Sequence, residues 1–344
     1  MLGLDAKAFR VTWTAALTLL LLAAIYAIRG TLVLFSVALL FAYLLYPLVD
    51  RISRRFSPKN RAPALALTYL LVLGILTAIG IGIGSQVAAE ARQLVAQPPD
   101  VRGFLQRLQI DYPSFSPMIE AAHGRIREQI GEFVTAAPRF SLRVLAASAN
   151  LVDLVVIPIL SFFILKDGTS IRDGFLALFP AGAGRSEAER TIAEIHALLL
   201  QYMRALLLLC CTVLIVFSVV LSAMGVQYAL LLASIAFLCE FVPLIGPITA
   251  AGVILAVSAL SGYPHFWWIA AFLGTFRLVQ DYGISPKLMS RGIELHPIWV
   301  IFGVFAGSEI GGVAGVFLSV PALALARLIL HRLSQVPVPD GPES

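Results

Sequence analysis

The two stretches that decide the fold are VTWTAALTLLLLAAIYAI, at Val11–Ile28, and TLVLFSVALLFAYLLYPLV, at Thr31–Val49. Only Arg29 and Gly30 separate them. Each stretch approaches the roughly 20 apolar residues that a helix needs to cross the hydrocarbon core of a bilayer. A secretory signal peptide is an alternative for the first stretch, but the second follows at once, with no clear small-residue cleavage site between them. We therefore expect a retained transmembrane hairpin.

The composition of the whole chain favours the same class of protein. Of its 344 residues, 59% are hydrophobic and only 13% are charged, and the mean hydropathy is +0.89. A soluble protein needs polar residues for its surface, whereas a chain in lipid presents apolar side chains outward as well as inward. The net charge of +5 is not gathered on a polar domain, so a nucleic-acid partner is not expected. The expected surroundings are a lipid bilayer.

The residue types that build most enzyme and cofactor sites are scattered along the chain. Cys210, Cys211 and Cys239 lie inside apolar runs, which favours small buried side chains over a disulfide or a zinc site. The histidines show no metal-ligand spacing, and the HExxH, GxSxG and GxxxxGK[ST] motifs are absent. The sequence therefore predicts neither an enzyme nor a metal or cofactor site.

A short basic segment predicts the orientation of the chain in the membrane. Arg51, Arg54, Arg55, Lys59 and Arg61 follow the second apolar stretch. Short loops rich in Lys and Arg stay in the cytoplasm, which also places the N-terminus there. Basic residues after the last apolar stretch favour the cytoplasm for the C-terminus too. The predicted location is the inner (cytoplasmic) membrane of a bacterium.

The alternation of apolar and polar stretches divides the chain into four predicted regions. Residues 1–84 hold three spans, and residues 85–145 form an amphipathic helical region outside the cytoplasm. Residues 146–332 form a C-terminal membrane core, and residues 333–344 form a disordered tail. We expect an all-α, polytopic fold of about eight transmembrane helices. Because long amphipathic helices between spans leave apolar stripes, a homo-oligomer is also expected.

Two places in the C-terminal core interrupt apolar helices. The apolar run 229–261 is broken at Pro243, Gly246 and Pro247. It forms either two short spans or a re-entrant hairpin, because proline and glycine free backbone groups that lipid cannot satisfy. The second place is a glycine cluster nearer the end of the chain, formed by Gly311, Gly312 and Gly315.

Four motifs occur in order along nearly the whole chain. They are AYLLYPLVDRI at Ala42–Ile52, PILSFFILKDG at Pro158–Gly168, FVPLIGP at Phe241–Pro247, and the run from Gln280 through SPKLMSRGIELHP to GSEIGGVAG. Together they resemble the autoinducer-2 exporter family of bacterial permeases. The family name comes from export of a furanosyl signalling molecule, and related members are associated with sodium or proton exchange. The resemblance implies that residues 146–332 are a transport core, and that the protein is a homo-oligomer.

One segment departs from the family pattern. Ala205 and Leu206 follow Arg204, where family members often have glycine and glutamine. A polar group that could line a pathway is therefore missing. The departure implies that the substrate could differ.

Two carboxylates within apolar segments are candidates for a transport pathway. An ionised side chain at the bilayer centre costs about 2.5–3.5 kcal/mol on insertion scales, so such groups usually face a cavity or a partner. Glu240 lies shortly before Pro243, where a broken helix exposes backbone dipoles to a substrate or ion. Glu309 precedes the glycine cluster, and an interfacial position at a hairpin tip is an equal alternative to a functional role for it.

Other polar residues complete the predicted pathway. Arg277 and Asp281 are four residues apart, so they can pair on one helix face. A structural ion pair at the membrane boundary is one interpretation of these two residues, and a gate is the other. The predicted pathway comprises the helix-break and polar residues together: Glu240, Pro243, Gly246, Pro247, Gln280, Asp281, Glu309, Gly311, Gly312 and Gly315.

Two classes of function remain open. The first is a secondary transporter, driven by an ion gradient, that exports a small polar solute such as the autoinducer-2 signal or exchanges a monovalent cation for a proton. The second is a non-transporting membrane scaffold. Carboxylates beside helix breaks favour the transporter, because a scaffold has no use for them.

Overall fold

The computed structural model describes residues 6–56, 61–96, 151–284 and 295–334, and the regular elements in these ranges are helices. A π-helical turn, Gln280–Ile284, extends one of them. The predicted all-α fold is confirmed. The helices in chain order are α1 (Ala6–Ala27), α2 (Arg29–Phe56), α3 (Arg61–Ala96), α4 (Leu151–Leu176), α5 (Ala183–Ala223), α6 (Ala229–Cys239), α7 (Ile245–Leu260), α8 (Phe266–Val279) and α9 (Pro297–Ser334).

The described helices have the length and apolar surface of membrane spans. Four of them, α1, α2, α3 and α5, are long and apolar enough to cross a membrane. Helix α9 is as long and apolar but is bent at residues 311–312, and α6 and α7 are shorter apolar helices. Large apolar side chains are exposed on these helices, for example Leu20 and Leu70, at 70% and 68%. Such exposure is expected where lipid replaces water as the solvent. The prediction of a polytopic membrane protein is confirmed.

The predicted hairpin of the first two stretches is wrong: Ile28 alone joins α1 to α2, its N–H donates to the Ala24 carbonyl oxygen, and its own carbonyl oxygen accepts the Leu32 N–H. The apolar segment of α1 has no buried residues, so α1 does not pack back along α2.

Parts of the predicted organisation lie outside the described residues. Of the predicted amphipathic region, residues 85–96 continue α3, and residues 97–145 are among those not described. The same holds for Lys59 in the basic segment and for residues 335–344 of the predicted tail. The division into four regions therefore stays a prediction.

Helices α6 and α7 form a helical hairpin, here called the first hairpin. At its closed end, a Cβ atom at Gly246 would collide with the carbonyl group of Cys239, so the two helices touch backbone to backbone. At its open end, the Tyr263 hydroxyl donates a hydrogen bond to the Met224 carbonyl oxygen, at 2.7 Å. Because Met224 precedes α6 and Tyr263 follows α7, the two helices are antiparallel.

Helix α9 bends back on itself and forms the second hairpin. Residues 311–312 have non-helical backbone angles, with a φ of 56° at the second of them. Beyond the bend, Gly307 and Gly315 pack so closely that a Cβ atom on either would collide with the carbonyl group of the other. Farther from the bend, a Cβ atom at Gly303 would meet the Leu323 side chain. The two halves of α9 are therefore antiparallel.

The two hairpins point in opposite directions along α5. The open end of the first hairpin lies beside the C-terminal end of α5, because only a tight turn joins α5 to α6. The open end of the second lies near the N-terminal end of α5, where Arg332 pairs with Glu187 and Glu194. The hairpins meet where Phe241 of the first packs on Phe317 of the second, with ring centroids 5.7 Å apart.

The largest buried cluster surrounds the first hairpin. Leu232 of α6 and Ile254 of α7 are completely buried. Phe217 of α5 packs edge-on against Phe272 and Phe276 of α8. These contacts join α5, α6, α7 and α8 through one core. That core fixes the position of the break between α6 and α7.

Candidate functional site

The break between α6 and α7 has a strained backbone. Leu244 has φ and ψ of 65° and −55°, and the N–H of Ile245 donates to the carbonyl oxygen of Pro243 at 2.7 Å. These features define a γ-turn of the positive-φ form, which is rare and strained for a residue with a side chain. Pro243 also lacks the N–H that would continue α6. The local sequence therefore ends one helix and turns the chain directly into the next.

Glu240 stands at the end of α6, beside this turn, and is partly buried. Its Oε2 accepts a hydrogen bond from Nε2 of Gln280, at 3.1 Å. Gln280 is only 4% exposed and opens the π-helical turn that follows α8. A hydrogen bond to a carboxylate is stronger than one between neutral groups, and it fixes the direction of the side chain. The structure thus brings together two of the predicted pathway residues.

An ion pair lies next to this hydrogen bond. Nε of Arg277 is 2.8 Å from Oδ2 of Asp281, and both side chains are partly exposed, at 39% and 43%. Asp281 directly follows Gln280, so this ion pair lies beside the hydrogen bond to Glu240. Two carboxylates and one guanidinium leave one net negative charge when all three groups are ionised. The cluster therefore has the electrostatic character of a site for a cation or a proton.

Apolar side chains next to Glu240 in the chain pack against other helices. Cys210 of α5 is completely buried and lies in the same hydrophobic cluster as Phe241, which follows Glu240. Cys239 is 7% exposed, and Phe241 packs on Phe317 of the second hairpin. An ionised carboxylate in such surroundings is costly unless a cation or a donor accompanies it. Within the described ranges, no group of three or more His, Cys, Asp or Glu side chains is arranged to hold a metal ion.

The predicted residues of the glycine cluster lie elsewhere, at the bend of the second hairpin. Glu309 is exposed, and it has no hydrogen-bond or ion-pair partner in the part of the chain that the structure describes. A Cβ atom at Gly311 would meet Val33 of α2, and Gly315 is buried in the contact between the two halves of α9. No described hydrogen bond or ion pair joins Glu309 to Glu240.

Sequence reasoning missed a polar contact on the first hairpin. Oε2 of Glu90, on α3, accepts a hydrogen bond from the N–H of Leu231, in the first turn of α6, at 2.8 Å. It also missed that Cys210 and Phe317 pack in one cluster with Phe241, which follows Glu240. The one available signal was a carboxylate near the end of a long apolar helix, which is costly there without a partner.

Comparison with known proteins identifies the family. The family model described as AI-2E family transporter matches residues 16–335, which include nearly all of the described helices. The chain belongs to the AI-2E transporter family. This finding confirms the family that the four sequence motifs resemble. It also identifies the chain as a membrane transporter at the level of its family.

Relatives of this AI-2E family member are similar over most of their length. A Mycobacterium tuberculosis (strain CDC 1551 / Oshkosh) protein named "Putative transport protein MT0215" is 29% identical over 326 residues, or 89% of this chain and 86% of the relative. YueF of Bacillus subtilis (strain 168), with the same designation, is 23% identical over 301 residues, or 84% and 81%. A Methanothermobacter thermautotrophicus (strain Delta H) relative is 23% identical over 318 residues, or 92% of each chain.

Proposed function

We propose that this AI-2E family member is a secondary transporter, driven by an ion gradient, that exports a small polar solute such as the autoinducer-2 signal. The observation that carries the proposal is the hydrogen-bonded pair of Glu240 and Gln280 at an interrupted helix. Interrupted helices supply the backbone dipoles that bind substrates and coupling ions in many transporters. A carboxylate held there can bind a cation or carry a proton.

The length of α6 supports a site near the middle of the membrane. The helix has 11 residues, or about 16 Å at 1.5 Å per residue. This is about half of a hydrocarbon core roughly 30 Å thick. Trp267 and Trp268 are exposed near the open end of the first hairpin, and tryptophan is enriched where membrane meets water. These two observations support a position of Glu240 near the midplane.

The opposed hairpins support transport by alternating access. They come from opposite ends of α5 and meet at Phe241 and Phe317. In this proposal each hairpin closes the site toward one side of the membrane. The bend at residues 311–312 then serves as the hinge of the second hairpin, with Gly315 as its close contact. Arg277 and Asp281 form the gate of the pathway.

The course of α2 and α9 supports the predicted orientation in the inner membrane. Gly311 packs on Val33 near the start of α2, and Val320 and Leu40 share a buried cluster farther along both helices. The second half of α9 therefore runs parallel to α2. The ends of both helices, including the basic residues after Val49, lie on the same side. We propose that this side is the cytoplasm, and that both termini are there.

A cation/proton antiporter is the second candidate function, and the charge of the site favours it. Glu240, Asp281 and Arg277 together leave one negative charge, which one monovalent cation or one proton would balance. The solute of the exporter and the cation of the antiporter would use the same carboxylate. A non-transporting scaffold is the remaining alternative.

Exposed apolar helix surface supports a homo-oligomer as a further part of the proposal. The membrane-spanning segment of α1 has no buried residues among the described contacts. Either lipid or a second copy of the chain covers this surface. Native mass spectrometry in mild detergent should show a homo-oligomer, and a monomer at all concentrations would contradict it.

Flux measurements on purified protein in liposomes test the function. A panel of furanosyl signals, Na⁺, K⁺ and H⁺ separates the candidates: solute flux indicates the exporter, and cation flux opposed by protons indicates the antiporter. We expect Glu240→Gln to insert normally and to lower flux at least about tenfold, or about 1.4 kcal/mol. If this variant transports at the wild-type rate with unchanged pH dependence, the carboxylate is structural. No flux of any compound in the panel would favour the scaffold.

A further inference from the structure

The first turn of α6 is capped by a residue from a distant helix. Tyr228 occupies the N-cap position, and its side chain makes no capping hydrogen bond. Oε2 of Glu90, on α3, accepts the N–H of Leu231 at 2.8 Å instead. The first N–H groups of a helix have no partner within the helix, and they favour a nearby negative charge. Glu90 therefore provides the cap that the local sequence lacks.

Helix α6 lies between two strained backbone positions. Tyr228 has a φ of 61° and Leu244 a φ of 65°, and they are the only non-glycine residues with positive φ in the described ranges. Such strain persists only where the surrounding contacts hold it. Leu231, whose N–H Glu90 accepts, is three residues from Tyr228. The contact with α3 thus lies beside one of the two strained backbone positions.

Between these points α6 is a short uninterrupted helix. Its sequence, ALLLASIAFLC, has no glycine or proline that would let it bend. A displacement of its first turn is therefore passed to its last turn, which Cys239 closes and Glu240 follows.

We propose that Glu90 is a positioning residue for the site at Glu240: by capping α6 from α3, it holds the first hairpin in place and sets the exposure of the hairpin's closed end. The proposal rests on the proposed function only in naming Glu240 as the transport site. The capping contact and its effect on the position of α6 do not depend on which compound is transported.

Cys239 is a native reporter for this displacement, because it adjoins Glu240 and is 7% exposed. Replacing Cys210 and Cys211 by alanine leaves it as the sole cysteine of the chain. In liposomes, this parent protein is treated with a water-soluble maleimide, and the labelling rate is measured. We expect slow labelling of the parent. Glu90→Ala should raise the rate at least about fivefold, which corresponds to about 1 kcal/mol at 1.4 kcal/mol per tenfold.

Two matched variants separate capping from general damage. Glu90→Gln keeps an acceptor oxygen at the same distance along the side chain, and it should label near the parent rate. Gln86→Ala removes an exposed polar side chain one turn earlier on α3, and it should not change the rate. If Glu90→Ala does not give folded protein, Glu90→Asp replaces it, because the shorter carboxylate keeps the charge but falls short of the Leu231 N–H.

Labelling decides the proposal. If Glu90→Ala, or Glu90→Asp in its place, labels at the parent rate, the proposal is wrong. It is also wrong if Glu90→Gln raises the labelling rate of Cys239 as much as Glu90→Ala does. Flux is the second readout. If the wild type transports a compound and Glu90→Ala raises the labelling rate without changing the flux, Glu90 does not position the transport site. If the wild type transports nothing in the panel, the proposed function fails, and the labelling rates still decide whether Glu90 positions α6.

Discussion

The first hairpin reverses the chain through a strained turn with a proline, whereas the second reverses it through glycines. Leu244 has a φ of 65°, which is unfavourable for a leucine, and Gly312 has a φ of 56°, which glycine adopts freely. The strained turn carries a partnered carboxylate, Glu240, and the glycine bend carries Glu309, which has no described partner. Because strain is kept where function needs a fixed geometry, this difference favours binding at the first tip and bending at the second.

The largest predicted effect concerns a feature of both hairpins. In each hairpin, the two arms touch backbone to backbone at a glycine. A Cβ atom at Gly246 would collide with Cys239, and one at Gly315 would collide with Gly307. Neither neighbour is a flexible side chain, so the backbones must separate. We expect Gly246→Ala and Gly315→Ala to reduce the yield of folded protein severely, measured by size-exclusion chromatography in detergent.

Gly84→Ala is the matched control for these substitutions. A Cβ atom there would meet nothing within 4 Å in the described structure, and alanine is favoured over glycine inside a helix by up to about 1 kcal/mol. Its yield should equal or exceed that of the wild type. Normal yields for both hairpin variants would show that the close contacts are dispensable.

The second prediction compares the two carboxylates directly. Glu240 is partly buried and accepts a hydrogen bond from Gln280, whereas Glu309 is exposed. With flux of the transported compound in liposomes as the measurement, we expect Glu309→Gln to lower the rate less than about threefold, or less than about 0.7 kcal/mol. The effect of Glu240→Gln should be larger. An equal loss in both variants would make the second tip part of the binding site.

Local features of this fold were predictable from the sequence because their physical causes are local. The breaks near Pro243 and at the glycine cluster were predicted because proline lacks the N–H that continues a helix and glycine readily leaves the helical conformation. Pro47, Pro158 and Pro321 nevertheless lie inside α2, α4 and α9, so a proline alone does not predict a break. The ion pair of Arg277 and Asp281 follows from helical spacing alone. The apolar stretches predicted membrane helices because about 20 such residues span a bilayer.

The partners of the candidate site were not predictable in the same way. Glu90 and Leu231 are 141 positions apart, and Phe241 meets Phe317 only because the two hairpins point in opposite directions. Helical periodicity shows which face of a helix is apolar, but it does not show which helix covers that face. The sequence therefore predicted Glu240 as a candidate without the helices that pack around it.

The third prediction tests the strain at the first tip. Leu244→Gly should relieve the positive-φ turn, by about 1 kcal/mol or more, whereas glycine inside α6 should cost about 1 kcal/mol in helix propensity. Leu238→Gly is the matched control, since both leucines are partly buried. We expect Leu244→Gly to be the more stable variant by about 2 kcal/mol, measured by unfolding in detergent. Equal stabilities would mean that the turn stores no strain.

The smallest predicted effect concerns the open ends of the hairpins. At the open end of the first hairpin, the Tyr263 hydroxyl donates a neutral hydrogen bond to the Met224 carbonyl oxygen. At the open end of the second hairpin, Arg332 forms ion pairs with Glu187 and Glu194 of α5. Salt screens ion pairs between exposed side chains, and the contribution of such pairs to stability is small. We therefore expect Arg332→Ala to lower the thermal unfolding midpoint slightly at low salt and not at about 1 M salt, where the screening length is about 3 Å.

Arg190→Ala is the control for Arg332→Ala, because it removes the same charge from an exposed position on α5 that has no partner among the described residues. Its unfolding midpoint should match that of the wild type at both salt concentrations. Tyr263→Phe should lower the midpoint equally at both, since the bond that it removes is neutral. If the loss in Arg332→Ala persists at high salt, packing of the arginine stem secures the second hairpin, and both open ends are held by contacts that salt does not screen.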